Sequence, residues 1–363
     1  CDMSDKFRKT LLTIIFIGFL FVVAWLADTY LDEYVMRVVR TGLVYITAAV
    51  SYNLINGIAG QFSLGPNGFM ALGGYMVALL MLPLEQKEFV WFLQPLIWPF
   101  RVFSFAKPFF PLAVALGGVA GALGALVVGV PSLRLRGDYL AIATFGFSQI
   151  IIVLANNLIP VTNGALGIKG IPEYANVYQC LAWAIVTVLV ISNLANSSYG
   201  RAMKSIRDDE VAAEAMGIPI FKHKLLAFVV SGFFAGVAGG LMASLITTVS
   251  PSFFSFSMTF NLLIIIVLGG LGSITGSTIT AFGFTIVSEA LRFVESPIDI
   301  GPIHIPGISG MRMLVFSLLL VLLMIFCRRG LFGQKEISWD YVLSRFGNCS
   351  QGVRTCPQKT EQS

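Results

Sequence analysis

The sequence predicts an all-α integral membrane protein of about ten transmembrane helices in two inverted five-helix halves, and three observations carry that expectation. The first is composition: 56% of the 363 residues are hydrophobic and 12% charged, against roughly 25% charged in an ordinary globular domain. Mean hydropathy is +0.83. The second is the form of the apolar runs, which are of helical length and rich in Gly, Ala and Leu. Short alternating strands would instead point to a barrel. The third is a pair of Gly-rich interruptions, Gly60 to Tyr75 and Val267 to Gly276, at equivalent places in the two halves.

A span needs about 20 mostly apolar residues. Such runs lie near 11–27, 38–58, 62–82, 110–130, 139–159, 178–195, 225–247, 258–272, 276–293 and 310–327. The first follows Lys6, Arg8 and Lys9 like a secretory signal, but bulky Trp25 stands where cleavage wants a small residue, so it reads as an uncleaved span. The run 258–293 reads either as two short helices joined by a Gly-rich turn or as one interrupted helix. If both ends are cytoplasmic, 16 of the 24 basic residues face inward, and the excess of Lys and Arg sets that orientation. Trp91 and Trp98 in the long outward loop fit an interfacial belt. The net charge of +5 is therefore loop bias and does not indicate nucleic-acid binding. Two His and five Cys without C-x-x-C spacing give no metal centre or disulfide frame.

The fourth span carries Gly117, Gly121, Ala125 and Gly129 at every fourth position. The seventh carries Gly232, Gly236 and Gly240 beside Ser231, Ala235 and Gly239. Small residues let helix backbones approach closely in lipid, either inside the bundle or against a second subunit.

"GQFSLGPNGFMALGGY" places Ser63, Gly65, Pro66, Asn67 and Gly68 at the start of the third span, where Pro and Gly interrupt the helix. Irregular backbone at membrane depth is tolerated only inside protein or beside a water-filled path. "VLGGLGSITG" repeats the feature with Gly269, Gly270 and Ser273 in the eighth span, and paired interruptions of this kind point to a transport path. Both stretches are also compatible with ordinary turns at the cytoplasmic face. Thr144 and Ser148, with Gln149, lie at nearly helical spacing in the fifth span, where they line a path or bond neighbouring helices. Arg134, Arg136 and Asp138 mark that span's cytoplasmic entry.

Between the sixth and seventh spans, Tyr199 to Lys224 holds 9 of the chain's 43 Lys, Arg, Asp and Glu residues. Within it "SIRDDEVAAEAMGI" has the spacing of one short exposed helix. Asp208 and Asp209 sit near its start, Ala212, Ala213, Ala215 and Met216 form a small apolar face, and Gly217 with Pro219 stops it. Such a helix is suited to lie in another protein's groove.

"EVAAEAMG", Glu210 to Gly217, resembles the EAA-type loop of ABC importer permeases. With "GQFSLGPNGFMALGGY", "LRLRGDYLAIATFGFSQI", "FVVSGFFAGVAGGLMA", "VLGGLGSITG" and "EISWD" (Glu336 to Asp340), the likeness runs from Gly42 to Asp340. It is similar to the M-type permeases of the branched-chain amino acid (Liv) importers, and urea and amide permeases share much of the pattern. The resemblance implies a single permease domain over 1–340 with a polar cytoplasmic tail at 341–363. It implies a bacterial cytoplasmic membrane location, a homologous H-type permease as heterodimer partner and a periplasmic binding protein. Two cytoplasmic ATPase subunits would hold ATP and Mg, since this chain has no G-x-x-x-x-G-K-[ST] motif and would not be an enzyme itself. On that mapping Arg207, Asp208, Glu210, Ala213 and Gly217 belong to the ATPase-coupling element, and Ser63, Gly65 and Asn67 to the path. Pro66 and the long aromatic loop Pro83 to Pro108 depart from the pattern.

Rival classes fit less well. An ion-coupled transporter would usually carry an ionisable group near the bilayer midplane. Glu289 and Arg292 instead lie three residues apart near a span end, the spacing of a local helix pair. A channel-like facilitator would work without ATPase partners and would not need Glu210 to Gly217.

Overall fold

The computed structural model describes residues 2–91, 95–97, 100–101, 104–135, 137–295, 298–300 and 303–305, with isolated positions beyond. Helix α1 (Asp2–Tyr30) and α2 (Glu33–Asn53) come first, and α2 runs on into a π-helical turn, Leu54–Ile58. After a non-helical stretch follow α3 (Pro66–Met81), α4 (Leu84–Val90), α5 (Phe110–Ser132), α6 (Asp138–Asn157) and the single turn α7 (Ile159–Thr162). Then come α8 (Val177–Asn196), α9 (Ser198–Asp208), α10 (Glu210–Ala215), α11 (Ile220–Ile246), α12 (Phe256–Gly269) and α13 (Ile274–Glu295). Among the described residues, eight helices are long and apolar enough to cross a membrane, as a multi-pass membrane protein requires.

One expected span has a different form, and one open alternative is decided. The third span, expected over 62–82, is helical only from Pro66 and is 16 residues long, about 24 Å against a hydrocarbon core of about 30 Å. Pro66 takes the first helical position, where its missing N–H costs nothing. The run 258–293 is two helices, not one interrupted rod. Thr280 Oγ1 donates to Ile265 O at 3.1 Å, and Gly269 abuts Gly276, so α12 and α13 run antiparallel. The tenth expected span, 310–327, and the segment Glu336 to Asp340 lie outside the described residues apart from a few isolated positions in the former.

Small residues set the packing at the centre. A Cβ added at Gly236 would stand 2.5 Å from Gly117 O, and one added at Gly121 would stand 2.9 Å from Gly236 Cα. The two ladders thus face each other inside the bundle, and Gly73 of α3 meets the same stripe. Phe69 and Phe228 pack edge to face at 5.5 Å beside this seam. Ser231 Oγ donates to Ser51 O at 2.6 Å, fastening α11 to α2. On the other side of α2 lie α12 and α13.

At the bundle end remote from α9 and α10, a two-residue antiparallel ladder joins β1 (Ile168–Lys169) to β2 (Thr248–Val249). Beyond α13, β3 (Ile298–Ile300) pairs with β4 (Ile303–Ile305), Ile298 opposite Ile305. Arg40 Nη1 meets Glu173 Oε1 at 2.7 Å, and Arg292 bonds Glu289 one turn away at 3.1 Å, the local pair its spacing predicts. Tyr34 OH also bonds Glu289, so the pair is anchored to α2. The aromatic loop after α3 folds back on the bundle. Phe105 N–H donates to Leu80 O at 2.8 Å, Ser104 Oγ to Leu82 O at 3.0 Å and Lys87 Nζ to Phe100 O at 2.8 Å. Burial pushes the Lys87 ammonium down to about 8. Trp91, expected in an interfacial belt, is 5% accessible, and Trp98 lies outside the described residues.

The seam gives a direct test. Gly121→Leu would force α5 and α11 apart and cost about 1–3 kcal/mol or more. Gly18→Leu, at a lipid-facing site with nothing within 4 Å, serves as the control. Thermal unfolding followed by size-exclusion chromatography in detergent is expected to show a clear loss for the first and none for the second.

Candidate functional site

Helix α2 loses its regular ladder at "NLINGIAG". Ala59 N–H reaches back to Leu54 O at 3.0 Å and Gln61 N–H to Ile55 O at 3.0 Å, so the last turn is wide. π turns of this kind are frequent at functional sites. The chain then stays non-helical to Gly65, and its peptide groups need partners that no helix supplies.

Side chains supply them. Tyr52 OH donates to Ser63 O at 2.7 Å, while Asn56 Oδ1 accepts from Ser63 N–H at 3.2 Å. Thr144 Oγ1, on α6, accepts from Leu64 N–H at 3.1 Å and donates to Ala141 O at 3.0 Å. Ser63 Oγ accepts from Gly65 N–H at 3.4 Å. Asn67 Nδ2 reaches across to Phe254 O at 3.0 Å. Ser148 turns its hydroxyl onto Phe145 O of its own helix at 2.7 Å and packs its Cα against Gly68. Ser63, Gly65, Asn67, Thr144 and Ser148 therefore form one buried cluster.

Gly269, Gly270 and Ser273 form a second. Gly270 and Gly272 turn the chain between α12 and α13, and Ser273 Oγ accepts from Gly276 N–H at 3.1 Å as the cap of α13. The buried amide of Asn53, on α2, holds this turn from both sides. Its Oδ1 accepts from Gly272 N–H at 2.9 Å, and its Nδ2 donates to Ser273 O and to Ser277 Oγ, each at 2.9 Å. The two clusters are thus fastened to one stretch of α2, the second through Asn53 and the first through Tyr52 and Asn56.

Sequence reasoning did not single out Tyr52, Asn53 or Asn56. The available signal was the pair of amides three residues apart inside an otherwise apolar span, because polar side chains in lipid are kept for bonding. Several buried polar atoms here have no protein partner among the described residues: Asn56 Nδ2, both amide ends of Gln61, Asn67 Oδ1 and Thr259 Oγ1.

The charged segment does not form one helix. Asp209 is extended and divides it into α9 and α10, and its Oδ1 caps α10 by accepting from Val211 and Ala212 N–H at 2.9 and 3.0 Å. Asp208 consequently ends α9 and does not begin α10. Gly217, at φ +80°, closes α10: Ile218 N–H bonds Ala213 O at 3.1 Å and Gly217 N–H bonds Glu214 O at 2.9 Å, the paired bonds of a Schellman cap. Ala213 is buried, whereas Val211 and Met216 are 73% and 82% accessible and share α10's outer side with Ala212 and Ala215. The apolar face expected over Ala212, Ala213, Ala215 and Met216 thus loses Ala213 to the interior. Glu210 points inward as well, pairing with Lys224 of α11 at 2.9 Å.

Of the residues expected in the coupling element, Arg207 bonds the π turn that lies between the two clusters, Nη1 donating to Gly57 O at 3.1 Å. Arg134 is exposed, and Arg136 and the side chain of Asp138 lie outside the described residues.

Comparison with known proteins follows the same span. The family described as "Branched-chain amino acid transport system / permease component" matches residues 34–327. The high-affinity branched-chain amino acid transport system permease protein LivM of Salmonella typhimurium is 29% identical over 323 residues, 80% of this chain and 68% of its own. LivM of Escherichia coli is 28% identical over the same shares. The autoinducer 2 import system permease protein LsrC of Klebsiella pneumoniae is 26% identical over 200 residues, 50% of this chain and 55% of its own. No solved structure matches.

The first cluster is open to test. Thr144→Val leaves Leu64 N–H buried without a partner, at a cost of about 1–3 kcal/mol, whereas Thr144→Ser keeps the acceptor. The expected outcome is a lowered melting temperature in detergent for the valine variant and near-complete recovery for the serine one.

Proposed function

Because the chain belongs to the permease-component family of branched-chain amino acid transport systems, we propose that it is the membrane-spanning permease subunit of an ATP-driven importer of leucine, isoleucine and valine. The observation that carries this reading is the family match over 34–327 together with LivM relatives aligned over 80% of the chain. The subunit sits in the bacterial cytoplasmic membrane with both termini inside, as ten spans in two inverted halves. Its permease domain runs over 1–340, and 341–363 is a cytoplasmic tail. It pairs with a homologous H-type permease, receives cargo from a periplasmic binding protein and is driven by two ATPase subunits that hold ATP and Mg.

The geometry supports a division of labour. The clusters around Ser63, Gly65, Asn67, Thr144 and Ser148, and around Gly269, Gly270 and Ser273, flank the path. Their polar groups are neutral, so contacts to a zwitterion are weak enough to release. The unpartnered amide ends of Gln61 and Asn67 suit a carboxylate or ammonium group in transit. Coupling falls to the loop of Arg207, Asp208, Glu210, Ala213 and Gly217. In it α10 offers Val211, Ala212, Ala215 and Met216 to a groove on the ATPase, while Ala213 and the Glu210–Lys224 pair hold the helix to the bundle.

Uptake of radiolabelled leucine into proteoliposomes holding the whole complex and internal ATP tests the reading. ATP-dependent uptake competed by isoleucine and valine is the expected result. Uptake indifferent to ATP would sink the importer mechanism, and competition by urea or amides alone would replace the cargo. Met216→Asp should weaken retention of the ATPase subunits about tenfold or more, since a charge on an apolar docking face is desolvated without a partner. Pull-down of the ATPase from solubilised membranes measures this, and Lys222→Ala is the control.

A further inference from the structure

Arg207 of the charged loop reaches the place where the two helix breaks meet. Gly57, in the π turn, and Gly272, between α12 and α13, are in backbone contact: a Cβ added at Gly57 would lie 2.8 Å from Gly272 Cα. Asn53 bonds Gly272 N–H from the same turn of α2. Gln61 N–H bonds Ile55 O, and Gly57 O takes Arg207 Nη1 at 3.1 Å. The Arg207 stem lies across Gly60, where φ is +67°, and an added Cβ there would fall 2.8 Å from Arg207 Cβ. The guanidinium also comes within 3.3 Å of the position a Gly272 side chain would take. Its other nitrogens, Nε and Nη2, are held by Asp208 Oδ1 at 3.1 and 3.0 Å.

We propose that Arg207 is the positioning residue that carries movement of the coupling loop into the transport path, and that Asn53 makes the two breaks move together. The proposal rests on the importer reading above. A guanidinium fixed at three nitrogens transmits displacement with less slack than a flexible ammonium. When α9 shifts, the pull reaches Gly57 O directly, and the Asn53 amide passes it to Gly272 and Ser273. Arg207 therefore acts on the path and not on the ATPase surface, which the outward residues of α10 occupy.

The test is the number of leucine molecules imported per ATP hydrolysed by the complete complex in proteoliposomes. Arg207→Gln should keep ATP hydrolysis within about twofold while import per ATP falls about tenfold, the factor that one lost charged hydrogen bond represents. Arg207→Lys should recover part of the ratio. Asp208→Asn, at a side chain 69% accessible and clear of the core, should give a partial loss by freeing the guanidinium. Import and hydrolysis that fall in parallel, or a ratio unchanged in Arg207→Gln and Asp208→Asn, would overturn the proposal. Absence of ATP-dependent uptake in the unmodified complex would overturn the importer reading and the linkage with it.

Discussion

A peptide group inside a membrane must have a partner, and the architecture around the two helix breaks follows from that constraint. Interrupting a helix in lipid exposes N–H and C=O groups that water cannot satisfy. Here α2 provides the remedy. Asn53 is suited to it because a carboxamide carries both donors and an acceptor, so one side chain satisfies Gly272 N–H and Ser273 O together. A carboxylate would accept but not donate, and would bring a charge into the bilayer. Asn56 and Tyr52 do the same for Ser63 on the other break.

That remedy makes α2 the shared member of two packed groups. On one side α3, α5 and α11 are drawn together by glycine-to-backbone contact, which leaves little room to slide. On the other, α12 and α13 lie antiparallel and meet α2 through the Asn53 bonds. The Ser231 bond to Ser51 O locks α2 to the first group, two residues before the amide that grips the second. The Gly57–Gly272 contact, with the Asn53 amide beside it, is one of the places where the two groups touch.

Much of this was legible in the sequence, and the reasons are local. Glycines at every fourth position signal close helix packing, so Gly117, Gly121, Gly232 and Gly236 announced a close approach but not whether its partner lay inside the bundle. Pro66 and the Gly-rich turn at 269–272 announced the breaks, because they forbid or weaken helix on short-range grounds alone. Asn53 and Asn56 were not read, because their partners lie in segments up to 224 residues away and no spacing rule links them. The single helix expected around Arg207 to Met216 failed at Asp209. An aspartate favours a cap over a helix interior, and with Asp208 beside it the sequence did not say which of the two would take that position. No spacing rule pairs Glu210 with Lys224, fourteen residues on, which the fold brings within 2.9 Å.

Charge is distributed by the same constraint. Ion pairs fix orientation at the bundle ends, as at Lys224–Glu210, Arg40–Glu173 and Arg292–Glu289. Between those ends the described clusters use amides and hydroxyls. A buried fixed charge in the path would have to be neutralised by a partner or by the cargo itself, and a zwitterion paired with it would be slow to leave. Neutral dipoles avoid that trap but exert little force over distance. On the proposed importer reading, a permease built from them needs a mechanical connection to its ATPase, and the connection has to begin where charge is tolerated, at the membrane surface. In that proposal the connection begins at Arg207: its stem crosses Gly60, its carboxylate partner Asp208 stays exposed, and its remaining nitrogen takes a backbone carbonyl of the π turn.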